Sequence, residues 1–412
     1  MRAHLALLAG SILFSLTVGE VLARVFLPAP PPWRYPQLRY RADPALIFAL
    51  RPDQMAYTAD KPAHINARGL RGPAVPYERT PGKKRLLFLG DSIVFGYGVG
   101  EREGVTARVE DLLNGHGAPS EIINTGVPSY NTEQEVSFLE TEGIRYNPDW
   151  VIVGMCWNDI NRKAGVMVSP DGWLEESTSE GQSLVLQWLE SPSGYSIRNF
   201  LKRSREFYAV AEGLRSLAQG RSLNDHDQLR DDVLEGRDTA RVTDGWNRFS
   251  VALNRVHDLS SQHGFQTLMV TFPFPLLLEG RYPQSSYPAR VRELTSKGGL
   301  GFMDLEDSFR QVYRGHDSLF IPYDGDHPNR VGHDVAAREI VKYILRSEGS
   351  EMRSRGESAD VLLGRGSFHP CLKRGVRSVG NQSDAIRALS VSCVERDGED
   401  RSLPQARDDF RC

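Results

Sequence analysis

Short apolar runs alternate with amphipathic stretches through the middle of the chain. Arg85–Leu89 is a brief apolar run that stops at Gly90, as a buried strand does. Glu121–Ile123, Trp150–Cys156, Phe265–Phe272 and Gly301–Leu305 repeat the pattern, and each predicts a strand. Between them, Glu103–Leu113 and Thr132–Glu142 have helical spacing, and Arg330–Leu345 predicts a closing helix. Trp246, Phe249, Leu253, Val256 and Leu259 fall three or four residues apart and mark the buried face of a further helix. Strands this apolar, separated by amphipathic helices, imply a parallel sheet covered on both sides. The fold class is therefore α/β. Ligands in such sheets bind at the carboxyl ends of the strands, so chemistry is expected in the residues that follow each strand.

Three stretches depart from this rhythm. At the N-terminus, Leu5–Gly19 is apolar apart from serines and a threonine, and apolar character resumes over Val21–Leu27. Glu20 and Arg24 interrupt it one helical turn apart, placed to pair on one helix face. Residues 1–27 read either as an uncleaved signal anchor of membrane-spanning length or as a signal peptide cut after Ala23. Both readings put the rest of the chain outside the cytoplasm, periplasmic or extracellular, and an anchor holds it at the membrane. Arg24, Arg34, Arg39 and Arg41 follow the span, whereas only Arg2 precedes it, which works against that orientation. Pro28, Pro30, Pro31 and Pro32 favour an extended, stiff stalk. Residues 28–82 are read as that stalk with an irregular or small β extension. Residues 160–240 are polar, a variable insertion with one expected helix around Ile197–Leu217. After residue 346 periodicity fails, and 347–412 has the composition of a disordered tail.

Composition narrows the function classes. The 412 residues carry a formal net charge of −3, with no dense basic run interleaved with aromatics, so no nucleic-acid partner is expected. Of the four cysteines, Cys156 lies in an apolar run and reads as a small core side chain. Cys371, Cys393 and Cys412 sit in the tail and fit no zinc spacing. No cofactor and no metal are expected. Asp324, Asp326 and His327 would need further ligands, and no other His/Asp cluster completes a shell.

Four segments carry chemistry. Ser92 follows the first strand in Gly90-Asp91-Ser92, where a strand turns into a helix. A serine hydroxyl is a poor nucleophile until a base takes its proton. His327 can do so, and Asp324, three residues earlier in the same loop, can fix its tautomer. Gly126, after the second strand, and Asn158, after the third, can offer donors to a developing oxyanion together with the Ser92 N–H. The order Ser…Asp…His is shared with α/β-hydrolases, but those need G-x-S-x-G, and Val94 stands where the second glycine would be.

These blocks, in this order, resemble the GDSL/SGNH hydrolase superfamily: Ser in Gly-Asp-Ser, a Gly, an Asn, and Asp-x-x-His. The resemblance falls on Ser92, Gly126, Asn158, and Asp324 with His327, and covers roughly residues 83–346. Gly96-Tyr97-Gly98-Val99 and His327-Pro328-Asn329 agree with it. Asn66-Ala67-Arg68-Gly69-Leu70-Arg71 is similar to a segment of bacterial membrane-anchored members. One departure is that Gly154 stands four residues before Asn158, with Met155-Cys156-Trp157 between. The resemblance implies a flavodoxin-like three-layer α/β/α sandwich with about five parallel strands, and metal-independent hydrolysis of acyl esters. It leaves open an esterase acting on O-acetyl or other acyl groups of a cell-envelope carbohydrate, an acyltransferase that modifies a polysaccharide, and a non-catalytic glycan-binding protein with a relic site.

Overall fold

All five expected strands pair into one sheet in a computed structural model of the chain. The structure describes residues 2–27, 32–161, 165–176, 192–201, 203–283, 285–322 and 324–354. They belong to one unit, Met1–Gly364; a second, Arg365–Cys412, lies outside them, as does most of the expected disordered tail. So does the proline run 28–31.

The sheet strands are β5 (Lys84–Leu89), β6 (Ser120–Asn124), β7 (Trp150–Met155), β10 (Gln266–Thr271) and β11 (Gly301–Asp304). Their order is β11-β10-β7-β5-β6, and every pairing is parallel. Successive side chains on a strand point to opposite faces, and both faces are buried here. Leu87, Leu89, Val151, Val153, Met155 and Met269 enter one core. Leu86, Phe88, Trp150, Ile152, Leu268 and Val270 enter the other. This two-sided burial explains why the strands read as continuous apolar runs.

Helices cover both faces. On the first lie α4 (Thr132–Thr141), α7 (Ala240–His263) and α9 (Tyr287–Lys297), through Val136, Leu139, Phe249, Leu253 and Val291. On the second lie α3 (Val105–Gly115), α10 (Glu306–Val312) and α11 (Arg330–Ser354), through Val109, Leu113, Phe309, Ile340 and Ile344. The result is the three-layer α/β/α sandwich that the resemblance implied.

The stretch before the sheet is more ordered than its composition suggests. It forms two antiparallel hairpins, β1 (Tyr40–Asp43) with β2 (Ile47–Leu50), and β3 (Gln54–Thr58) with β4 (Lys61–Ile65). Phe48, Leu50, Ala63 and Ile65 bury into the first core. The Tyr130 hydroxyl donates to Phe48 O at 2.7 Å, and Gln134 Nε2 to Leu46 O at 2.7 Å. The extension thus completes the layer over α4.

Two helices differ from expectation. The single helix around Ile197–Leu217 is two, α5 (Pro192–Leu201) and α6 (Arg205–Leu234). Ser204 makes the break: its hydroxyl accepts from Phe207 N at 3.0 Å, an N-cap that starts a new helix. The closing helix continues past Leu345 to Ser354, so residues 347–354 are helical and not tail. Glu348, buried in that extra length, pairs with Lys84 at the start of β5. The insertion also holds a small hairpin, β8 (Val166–Val168) with β9 (Leu174–Glu176), and α1 (Arg2–Phe26) covers the apolar N-terminus.

Because Phe48 is fully buried between the rings of Tyr40 and Tyr130, Phe48→Ala is expected to cost about 3–5 kcal/mol of unfolding free energy. Chemical denaturation checks this. A loss below about 1 kcal/mol would show that the hairpins add little to the core.

Candidate active site

β5 ends at Leu89, and the chain turns through Gly90 into α2 (Ser92–Phe95). Asp91 caps this short helix, its Oδ1 accepting from Ile93 N at 2.9 Å. Ser92 thereby becomes the first helical residue, and its N–H has no acceptor among the described residues. The helix is seated on two glycines. A Cβ on Gly154 would stand 2.5 Å from Val94 Cγ2, and one on Gly126 would stand 2.3 Å from Phe95 N. Neither approach is open to a residue with a side chain.

The opposite side of the site comes from the loop before α11. Asp324 Oδ1 accepts the N–H groups of Asp326 and His327 at 2.9 and 3.0 Å, folding the loop tightly about the carboxylate. The same oxygen lies 2.8 Å from His327 Nδ1. His327 Nε2 lies 2.7 Å from Ser92 Oγ, closing a chain of contacts across 235 residues of sequence. The Tyr97 ring packs beside the imidazole, with centroids 4.8 Å apart.

Electrostatics follow from this geometry. Burial works against a charged His327, but the hydrogen bond and charge of Asp324, with Asp91 and Asp326 nearby, outweigh it and raise the imidazole pKa above its ordinary value. Burial likewise opposes a charged Asp324, yet His327 and the two backbone donors bring its carboxyl down to about 2. Burial pushes Asp326 up to about 6, with Asp324 and Asp91 adding to the effect.

A cavity of about 50 Å³ opens at Ser92 and His327. Ile93, Trp157, Phe272 and Phe274 give it apolar walls. Asn158 lies on its edge. Its Nδ2 donates to Asp91 Oδ2 at 3.3 Å, which leaves a second N–H for another acceptor.

Ser92, Asp324, His327 and Asn158 therefore come together, but the Gly126 N–H does not join them. It donates to Asn124 Oδ1 at 3.0 Å, because the side chain at the end of β6 folds back on the turn, and Gly126 is absent from the cavity wall. Farther along the loop, Ser129 holds a φ of 74°, a left-handed conformation costly for serine. Its N–H has no acceptor among the described residues. Cys156, read as core filler, also lines the cavity, and its thiol lies 3.3 Å from Asp91 Oδ2. Burial, then the charges of Asp91 and Asp159, push its pKa well above the ordinary thiol range. His333, six residues after His327, is fully buried in α11, where burial brings it down to about 3 and keeps it neutral.

Sequence reasoning gave Arg71 no role beyond the resemblance. Its buried guanidinium donates to Phe95 O and Val99 O, each at 2.7 Å, and to Gly96 O. These carbonyls end α2 and begin the loop after it, so the extension holds the helix that carries Ser92 from behind. Asn66 shapes the approach, accepting from Arg68 N and Leu70 N and donating to Gly72 O.

A parallel α/β sandwich with a Ser–His–Asp contact at the carboxyl edge of its sheet defines a class of ester-hydrolysing enzymes. Within that class, the chain belongs to the GDSL-like lipase/acylhydrolase family, whose model matches residues 88–335. No curated protein matches the sequence. Among solved structures, Axe2, an acetylxylan esterase from Geobacillus stearothermophilus, is similar at 16% identity and a TM-score of 0.37, over 63% of this chain and 94% of that one. A lipase/acylhydrolase from Enterococcus faecalis is similar at 16% identity and 0.37, over 66% of this chain and 96% of that one.

Arg71→Met is expected to leave three buried carbonyls without their donor, at about 3 kcal/mol or more. The folded fraction should also lose turnover, because α2 shifts. Arg71→Lys, which keeps a cation for the carbonyls, should recover part of both. Thermal melts and turnover per folded molecule test this. Loss of stability with turnover unchanged would show that Arg71 does not position Ser92.

Proposed function

We propose that Ser92 is the nucleophile of a metal-independent esterase that removes small acyl groups, with His327 as its base and Asp324 as the residue that orients the histidine. The observation that carries this reading is the 2.7 Å separation of Ser92 Oγ from His327 Nε2, with Nδ1 held 2.8 Å from Asp324. Ser92 Oγ attacks the ester carbonyl carbon while His327 takes its proton. The C–O bond to the alcohol then breaks, and the same proton passes to the leaving oxygen. Water repeats the sequence on the acyl-serine and releases a carboxylic acid. Asp324 keeps the proton on Nδ1 and favours the imidazolium formed at each step.

The oxyanion receives the Ser92 N–H and the second N–H of Asn158. The Gly126 N–H is already donated to Asn124 and is left out of this set. An acyl pocket of about 50 Å³ with aromatic walls suits an acetyl or similarly short group. The N-terminal helix is the only one among the described residues with the length and composition to cross a membrane. It acts as a retained anchor that keeps the enzyme at the outer side of the membrane, facing acetylated carbohydrate of the cell envelope.

Two measurements test the reading. With acetyl and longer acyl esters as substrates, Ser92→Ala should lower kcat by roughly 10⁵–10⁶-fold without changing the melting temperature. Near-normal turnover in the folded variant would overturn the assignment. The second is the pH profile of kcat/KM. His327 must be neutral to accept a proton, and its pKa is raised, so activity should fall on acidification with an apparent pKa above about 6.5. Asp324→Asn removes the hydrogen bond and charge that raise it, so the residual activity should have its acid limb at lower pH. An unmoved limb would assign the titration to another group.

A further inference from the structure

The exposed apolar side chains outside α1 are mostly scattered singly, as on any soluble surface. One group is not. Ile197 and Phe200 on α5 are 45% and 68% exposed, and Phe207 and Val210 on α6 are 39% and 60% exposed. Each pair is three residues apart, one above the other on a helix. On α5 the other side already faces the protein. The Tyr195 ring stacks on Tyr35 at 6.0 Å, and Asn199 Oδ1 accepts from Tyr35 N at 3.2 Å. Ile197 and Phe200 are left pointing away.

The start of α6 is fastened to α1. The Glu20 carboxylate accepts from the Ser204 hydroxyl at 2.7 Å and from the N–H groups of Arg205 and Glu206 at 3.3 and 3.2 Å. Arg205 in turn donates to Arg24 O and Leu27 O, both at 2.8 Å. The acid that interrupts the apolar helix thus accepts the first two N–H groups of a second helix, beside its Ser204 cap. It also sets a depth. From Arg2 to Gly19, α1 rises about 27 Å at 1.5 Å per residue, close to the about 30 Å hydrocarbon core of a bilayer. Glu20 then stands at the membrane interface and brings the first residues of α6, next to Phe207, to the same level. Arg24, one turn along α1 from Glu20, and Arg203, two residues before the start of α6, are both exposed. Aromatic and aliphatic residues on one side of a helix, with arginines at the margin, suit the headgroup layer of a membrane.

We propose that α5 and the first turns of α6 form a bilayer-docking surface, with Ile197, Phe200, Phe207 and Val210 entering the acyl–headgroup boundary of a membrane containing anionic lipid. The inference rests on the reading of α1 as a retained anchor. It goes further, because docking at a second place fixes the orientation of the catalytic domain, which a tether alone leaves free to tumble. It also gives Glu20 a role that removal of α1 would abolish.

The test uses the full chain in vesicles of phosphatidylethanolamine and phosphatidylglycerol. An environment-sensitive fluorescent amino acid replaces Leu13, Phe207 or Val251 in turn, and turnover on a soluble ester checks that each protein is folded. Val251 is 61% exposed on α7 and serves as the solvent reference. Lipids brominated on their acyl chains should quench the probe at Phe207 to the extent seen at Leu13, and aqueous iodide should quench it far less than at Val251. If Phe207 matches Val251 while Leu13 is quenched by lipid, the docking surface is wrong and the anchor stands. If Leu13 also matches Val251, the anchor reading fails and the proposal falls with it. Protection of Phe207 from both quenchers would mean that protein, not lipid, covers this face, and would overturn the proposal.

Discussion

The site is organised around one buried carboxylate. Asp91 is 1% exposed, and its two oxygens serve different elements. Oδ1 caps the helix that carries Ser92. Oδ2 receives the Asn158 amide and the Cys156 thiol, both at the end of β7, and lies 3.5 Å from Ser92 Oγ. A charge this deep is tolerated only when hydrogen bonds replace its water, and those bonds fix the nucleophile helix to the neighbouring strand. Asp159 continues the arrangement, accepting from Cys156 N at 2.6 Å. Glu135 lies beside it, fully buried, and burial together with the charges of Asp159 and Asp91 raises its pKa well above the carboxylate range. Like charges at this spacing oppose one another's ionisation in a low-dielectric interior, which adds to the upward shift of Glu135.

Support from below is matched by support from behind. Arg71 donates to the carbonyls at the end of α2, in place of the turns that a longer helix would have supplied. A four-residue helix has little cohesion of its own. It is held at its start by Asp91, at its end by Arg71, and along its length by contact with Gly126 and Gly154. The N-terminal extension therefore supports the helix that carries Ser92 as well as the core. It delivers Arg71 from a segment that precedes the sheet.

Much of this was legible in the sequence. The five strands were readable because each is buried on both faces and so is apolar throughout. The α7 face was readable because Trp246, Phe249, Leu253 and Val256 keep helical spacing over a long stretch. Ser92, Asp324, His327 and Asn158 were readable because each directly follows a strand or precedes a helix, where side chains converge at the sheet edge. The break between α5 and α6 was missed because helical spacing runs on across it, and only the Ser204 cap interrupts it. The length of α11 was missed because its last turns are polar and are held by an ion pair to a strand far away in sequence.

What the sequence by itself determined was therefore periodicity and chemical type: which segments are strands or helices, and which residues can act as nucleophile, base and donor. Tertiary structure decided which of those groups are free to act. The Gly126 N–H is committed to Asn124, whereas the Ser92 N–H is not. Cys156 faces a cavity and a carboxylate. Arg71 is buried against backbone, and Glu20 caps a helix some 180 residues away. In each case the outcome depends on a partner whose position is set by packing and not by local order. Whether a polar group is satisfied is a property of that partner's distance and angle. Neither is written in the pattern of residue types along the chain.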